Sequence, residues 1–223
     1  VNLGGFILIR FAPLLECAPV ARWLLVGFGL TTAVLAGLVM LTRITIKVRL
    51  AWSTMSQMGF MVLECGLGLY TLAALHLIGH SLYKAHAFLS SSCAVRDTRA
   101  QMLRGPARYV ASSLIAAPAI AWLVIALLQN ATSATQWPWW WSGVLALAWS
   151  PMLWQATTSG GAYWRLRLSG IALVAGLTVL ALLAHQVPTF LGLSAHAADA
   201  PLHAAGWLAL LGMAGMYACL VQL

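Results

Sequence analysis

The stretch TLAALHLIGHSLYKAHAFL, residues 71–89, decides the fold. It is apolar enough to lie in a membrane, yet it places His76, His80 and Lys84 four residues apart. Steps of four keep side chains on one stripe of a helix, drifting about 40° per step. A bilayer core penalises ionisable groups, so a row of them inside an apolar run points to an ion or proton path.

Composition supports a membrane setting. The chain has 223 residues, 62% hydrophobic and 7% charged, with a mean hydropathy of +0.89. A soluble domain carries roughly 25% charged residues, and this chain lacks the polar surface to cover a soluble core. Residues 109–164 contain no Asp, Glu, Lys, Arg or His. The expected fold class is all-α: a polytopic transmembrane helix bundle forming one domain over 1–223. The net charge of +8 reads as a topology signal, so membrane lipid is an expected partner and nucleic acid is not. Cys17, Cys65, Cys93 and Cys219 form no CxxC pair and read as small apolar residues. The chain opens on Val1 inside an apolar stretch with no signal peptide ahead of it. It is therefore expected to be a fragment of a longer protein or a chain trimmed at its N-terminus.

Apolar runs of membrane-spanning length place about eight helices, at 1–15, 20–42, 46–65, 70–94, 108–129, 138–156, 168–185 and 204–222. The loops after the second, fourth and sixth helices hold Arg43, Lys47, Arg49, Arg96, Arg99, Arg104, Arg108, Arg165 and Arg167; the alternate loops hold Arg10 and Arg22. That bias puts the basic loops in the cytoplasm. Trp137, Trp139, Trp140 and Trp141 then fall at an outer helix start, where indole rings favour the headgroup zone. Pro118 lies mid-helix and implies a kink or a broken helix.

His76, His80, Lys84 and His86 fall within eleven residues. Histidine titrates near neutral pH, and groups one helical turn apart can pass protons directly or through water. His86 sits well off the stripe, facing another partner or the far side of the same cavity. Histidines at i and i+4 also suit zinc, but no Glu intervenes, no third ligand lies nearby in sequence, and Lys84 repels a dication. Neither a metal nor another cofactor is expected in this chain. In the preceding helix Lys47 either reaches the cytoplasmic surface or serves the path. Glu64, one of four acidic residues, suits proton entry or an ion pair. Ser53, Thr54, Ser56 and Gln57 give that helix a polar face for water or helix bridging. His185, His196 and His203 read as interfacial.

These residues carry a family likeness. Lys47-Val-Arg-Leu-Ala-Trp-Ser-Thr-Met-Ser-Gln-Met-Gly-Phe60, followed by His76-Leu-Ile-Gly-His80-Ser-Leu-Tyr-Lys84-Ala-His86, resembles the antiporter-like subunits of respiratory complex I (subunit L) and of Mrp-type cation/proton antiporters. Leu50-Ala-Trp-Ser-Thr, Glu64-Cys-Gly-Leu-Gly68, His80-Ser-Leu-Tyr-Lys-Ala-His-Ala-Phe and Val1-Asn-Leu-Gly-Gly-Phe look like one branch, the DabB subunits of DAB inorganic carbon transporters. The likeness covers residues 1–95. It implies a fold of about fourteen helices with two inverted repeats, of which this chain holds most of the second. By position, His76, His80 and Lys84 match the family's central histidines and bridging lysine, and Lys47 a lysine one helix earlier.

There are departures. Complex I members have Asp at Thr45, an apolar residue at Glu64 and Leu at His86. They also carry a lysine in a later broken helix, where residues 108–129 have none. These differences favour the inorganic carbon branch.

The resemblance implies a subunit that conducts protons or other cations for energy-coupled uptake of CO2 or bicarbonate. Its implied partner is DabA, a peripheral zinc protein related to β-carbonic anhydrases. It would be a transport subunit rather than an enzyme. His76, His80 and Lys84 would form the relay, with Glu64 on the outer side, Lys47 on the cytoplasmic side and His86 toward the partner. The alternatives are a proton-translocating subunit of an NADH-quinone oxidoreductase or an Mrp-type antiporter, and a purely structural bundle.

Overall fold

A computed structural model describes residues 2–90, 111–132, 137–154, 163–190 and 203–222, and among them there is no strand. The helices are α1 (Asn2–Arg10), α2 (Ala12–Glu16), α3 (Pro19–Leu41), α4 (Ile46–Leu67), α5 (Tyr70–Leu89), α6 (Ala111–Thr132), α7 (Trp139–Trp149), α8 (Tyr163–Phe190) and α9 (His203–Gln222). A 3-10 turn, Ser150–Leu153, follows α7. By length and composition α3, α6 and residues Ala204–Gln222 are apolar enough to cross a membrane. At about 1.5 Å per residue α4 and α5 are also long enough, but they carry the polar groups. The stretch 1–15 is divided: the chain breaks at Phe11, and Pro13 starts the short second helix with φ already set for it. The residues gather into two compact units, 1–94 with 184–223, and 95–183.

The first unit is organised by close approach of α3 to α4. Gly29, Gly59 and Gly66 lie where the two backbones touch. A Cβ on Gly29 would come within 2.5 Å of the Leu63 nitrogen, and one on Gly59 within 2.6 Å of the Ala33 nitrogen. Small residues at helical spacing are the means by which membrane helices pack without a hydrophobic drive. The Ser56 hydroxyl adds a cross-helix bond to the Ala33 carbonyl, 2.8 Å. Phe28 and Leu35, on the other side of α3, are exposed. An exposed apolar face suits lipid or further protein.

α4 ends in a left-handed residue, Gly68, with φ 87°. The Gly68 amide donates to the Cys65 carbonyl and the Leu69 amide to the Glu64 carbonyl. Glycine is needed here because a Cβ disfavours that conformation. The tight turn sends α5 back along α4 as an antiparallel hairpin and so fixes which residues of the two helices meet. Met58, Met61, Cys65 and Ala73 form the core of that hairpin, with Leu8 and Ile9 of α1 packed against it.

In the second unit α6 runs unbroken through Pro118, so the broken-helix reading does not hold. Its core is Ala117, Ala121, Ile125, Ala146, Leu153 and Val174. Ser142 of α7 donates to the Gln129 side-chain oxygen of α6, 3.0 Å. A cavity of about 170 Å³ near the start of α6 is lined by Ser112, Ser113, Ile120, Arg167 and Ile171, among others. Trp137, Trp140 and Trp141 are buried, and only Trp139 of the four is exposed. The Trp140 and Trp141 rings pack edge to face, at 82° and 6.1 Å.

Candidate functional site

The antiparallel hairpin brings the polar face of α4 against the ionisable stripe of α5. Glu64 is 3% exposed, and its Oε2 lies 2.9 Å from His76 Nδ1. The other ring nitrogen, Nε2, is 2.8 Å from the Gln57 side-chain oxygen. With both nitrogens facing oxygens, a doubly protonated ring would donate to Glu64 and to Gln57 at once. Turning the Gln57 amide over offers its NH2 to Nε2 instead, which suits a neutral ring. Gln57 can thus serve either protonation state of His76.

His80 follows one turn on, buried at 7% exposure, with its ring centroid 6.2 Å from that of His76. Lys84 comes next. Its ammonium donates to the Leu50 carbonyl and to the Ser53 hydroxyl, both at 2.9 Å. The Leu50 carbonyl also accepts from the Thr54 hydroxyl, 2.9 Å. These partners are neutral, so Lys84 is solvated by α4 without being locked to a carboxylate. Phe60 caps the row from the side, its ring 5.7 Å from His76. Among the described residues no three His, Cys, Asp or Glu side chains gather closely enough to hold a metal ion.

Four of the six expected site residues therefore lie along one seam: Glu64, His76, His80 and Lys84. The other two do not join it. Lys47 is exposed in the first turn of α4, and His86 is exposed near the end of α5. Among the described residues no side-chain hydrogen bond ties either to the row. His185 falls within α8 and His203 opens α9. His196 and Arg96, Arg99, Arg104 and Arg108 lie outside the described residues.

Arg22 was counted as a loop charge. It is instead a buried residue of α3, 7% exposed, and its Nε donates to the Gly66 carbonyl, 3.1 Å. A lone arginine at a helix start reads as a topology signal; the clue missed was Gly66, which lets α4 approach closely enough to receive it.

The fold and the seam define a class: helical membrane subunits with ionisable side chains buried between helices. The chain belongs to the NADH:quinone oxidoreductase/Mrp antiporter transmembrane family, whose description matches residues 1–135. It is 54% identical over 114 residues to "Probable inorganic carbon transporter subunit DabB" of Hydrogenovibrio crunogenus, covering 51% of this chain and 21% of that protein. It is 57% identical over 91 residues to "Probable inorganic carbon transporter subunit DabB2" of Halothiobacillus neapolitanus, 41% of this chain and 16% of that protein. It is also similar to NADH-quinone oxidoreductase subunit L of Rhodobacter capsulatus, 39% over 95 residues, 43% of this chain and 13% of that one. The chain thus spans about a fifth of the length of these curated relatives or less. It is a multi-pass membrane protein with an antiporter-like domain.

Proposed function

We propose that this chain is part of a proton- or cation-conducting subunit of an inorganic carbon uptake complex in a bacterial inner membrane. The observation that carries the reading is the seam of Glu64, His76, His80 and Lys84, with the Glu64–His76 contact at 2.9 Å. Along α5, His76 to Lys84 covers about 12 Å, roughly two-fifths of the ~30 Å apolar thickness a proton must cross. A proton on the Glu64–His76 pair moves to His80 through one intervening water, and from His80 to Lys84 when the amine is neutral. Each transfer returns the donor to its starting state. Lys47 serves the cytoplasmic end and His86 the contact with a partner. That partner is a zinc-containing soluble subunit of the DabA kind. The uptake role rests on the names of the relatives, whose identity is 54% and 57% against 39% for the redox subunit.

The test is Lys84→Met in the full-length protein with its partner, read as bicarbonate accumulation in cells. The reading expects uptake to be lost while the protein stays in the membrane; unchanged accumulation contradicts it. A second reading, a proton-translocating subunit of a quinone-reducing complex, is supported by the match to subunit L. Purification with flavin or iron–sulfur subunits would favour it over the first.

A further inference from the structure

Three buried polar atoms at the Gly68 end of the first unit have no hydrogen-bond partner among the described residues: Glu16 Oε1, Arg22 Nη2 and Tyr70 Oη. They belong to three elements, α2, α3 and α5. Glu16 ends α2, Arg22 lies in the first turn of α3, and Tyr70 opens α5. Arg22 is anchored by its Nε on the Gly66 carbonyl of α4, 3.1 Å, which holds its head at the α4–α5 turn. Arg22 and Glu16 are both close enough to act electrostatically on the Tyr70 hydroxyl. Arginine supplies a donor, glutamate an acceptor and tyrosine both. Buried polar groups without partners are costly, and such a complementary set is the kind that holds water.

The site also stands in line with the seam. Tyr70 precedes His76 by six residues of α5, about 9 Å of helix. It packs against the cluster of Met58, Met61, Cys65 and Ala73, and the Leu69 amide beside it donates to the Glu64 carbonyl, 2.9 Å. Lys84 lies about 21 Å from Tyr70 along the same helix. The cluster is therefore at the membrane face opposite Lys84, the outer face by the charge bias.

We propose that Glu16, Arg22 and Tyr70 form a water-holding proton-transfer site that connects the outer face to the Glu64–His76 pair. Glu16 takes a proton from hydronium at the outer face, forming an O–H bond on its carboxylate and leaving water. It releases that proton to water held by Arg22. The Tyr70 oxygen accepts a proton from this water and gives up its own toward Glu64 and His76. Glu16 ends as a carboxylate and Tyr70 as a phenol, so nothing is consumed. The titratable groups facing this path are Glu16, Arg22, Tyr70, Cys65, Glu64 and His76. The inference deepens the proposed function and rests on the seam being a proton path.

The experiment uses the full-length protein with its partner in sealed vesicles, and reads proton flux for Glu16→Gln, Tyr70→Phe and Lys84→Met. Glu16→Gln is expected to lower flux about tenfold at neutral outer pH, with Tyr70→Phe giving a smaller loss. Lowering the outer pH should shrink the Glu16→Gln deficit, since a higher proton supply replaces the lost acceptor. A merely structural defect would not recover. Wild-type flux in either Glu16→Gln or Tyr70→Phe overturns the site, as does a Glu16→Gln deficit unmoved by outer pH. Lys84→Met separates the two ideas: its loss of flux beside a normal Glu16→Gln leaves the seam standing and removes this site. Normal flux in Lys84→Met contradicts the seam itself and overturns the inference that rests on it.

Discussion

Glu64 and His76, twelve residues apart in sequence, meet across the α4–α5 turn with Oε2 2.9 Å from Nδ1. Removing one member of a buried ionic pair leaves the other uncompensated, at a cost of about 3–5 kcal/mol, while replacing both with apolar residues is often near neutral. His76→Leu should therefore lower the melting temperature of the detergent-solubilised full-length protein more than the double variant Glu64→Leu/His76→Leu. Equal melting temperatures for the single and double variants would mean that the contact is not a stabilising pair.

Gln57 touches His76 on the side away from Glu64. Its amide is the partner able to donate or accept as the ring changes protonation. Gln57→Leu should slow proton flux about tenfold, the equivalent of one hydrogen bond to a charged group, with no loss of protein from the membrane. Flux at the wild-type rate would make Gln57 a bystander.

Lys84 is held by one backbone carbonyl and one hydroxyl. Ser53→Ala removes the hydroxyl and leaves the carbonyl, so flux should fall about tenfold, as for one hydrogen bond to a charged group. Lys84→Arg keeps a cation but one that does not lose its proton in proteins. It should be as inactive as Lys84→Met if the lysine must change protonation state. An active Lys84→Arg would reduce its role to that of a fixed charge.

Two glycines set the geometry that the row depends on. Gly59→Val drives a branched side chain into the Ala33 backbone of α3 and should lower the yield of folded protein sharply, since overpacking costs about 1–3 kcal/mol even where neighbours can yield. Gly68→Ala keeps the volume small but places a Cβ at φ 87°, costing about 1–2 kcal/mol. Melting of purified full-length variants gives both values.

Much of this was legible in the sequence. Spacing alone put His76, His80 and Lys84 on one stripe, because helical periodicity is local and the apolar background demanded a helix. The polar face of Ser53 and Gln57 was visible for the same reason. Their individual partners were not, since pairing across a hairpin depends on the register that Gly68 sets, and the sequence does not display register. Glu64 was expected to serve the outer side, but its direct contact with His76 follows only once α5 doubles back. Arg22 escaped because an arginine at a helix start is equally a topology signal and a buried anchor; contact with the Gly66 carbonyl distinguishes the two. The burial of Trp137, Trp140 and Trp141 within the protein was not legible either, because amphipathic rings suit both an exposed interface and a packed core. The break at Phe11 was hidden inside an apolar run where hydropathy is continuous.

The most direct test of the account is proton flux into sealed vesicles carrying the full-length protein with its partner subunit, compared between the wild type and His76→Leu at matched amounts of inserted protein. The account predicts that the variant loses flux by about 100-fold or more, as expected for removing a positioned proton carrier. Flux at the wild-type rate in His76→Leu would show that charge crosses elsewhere and would contradict the role given to the α4–α5 seam.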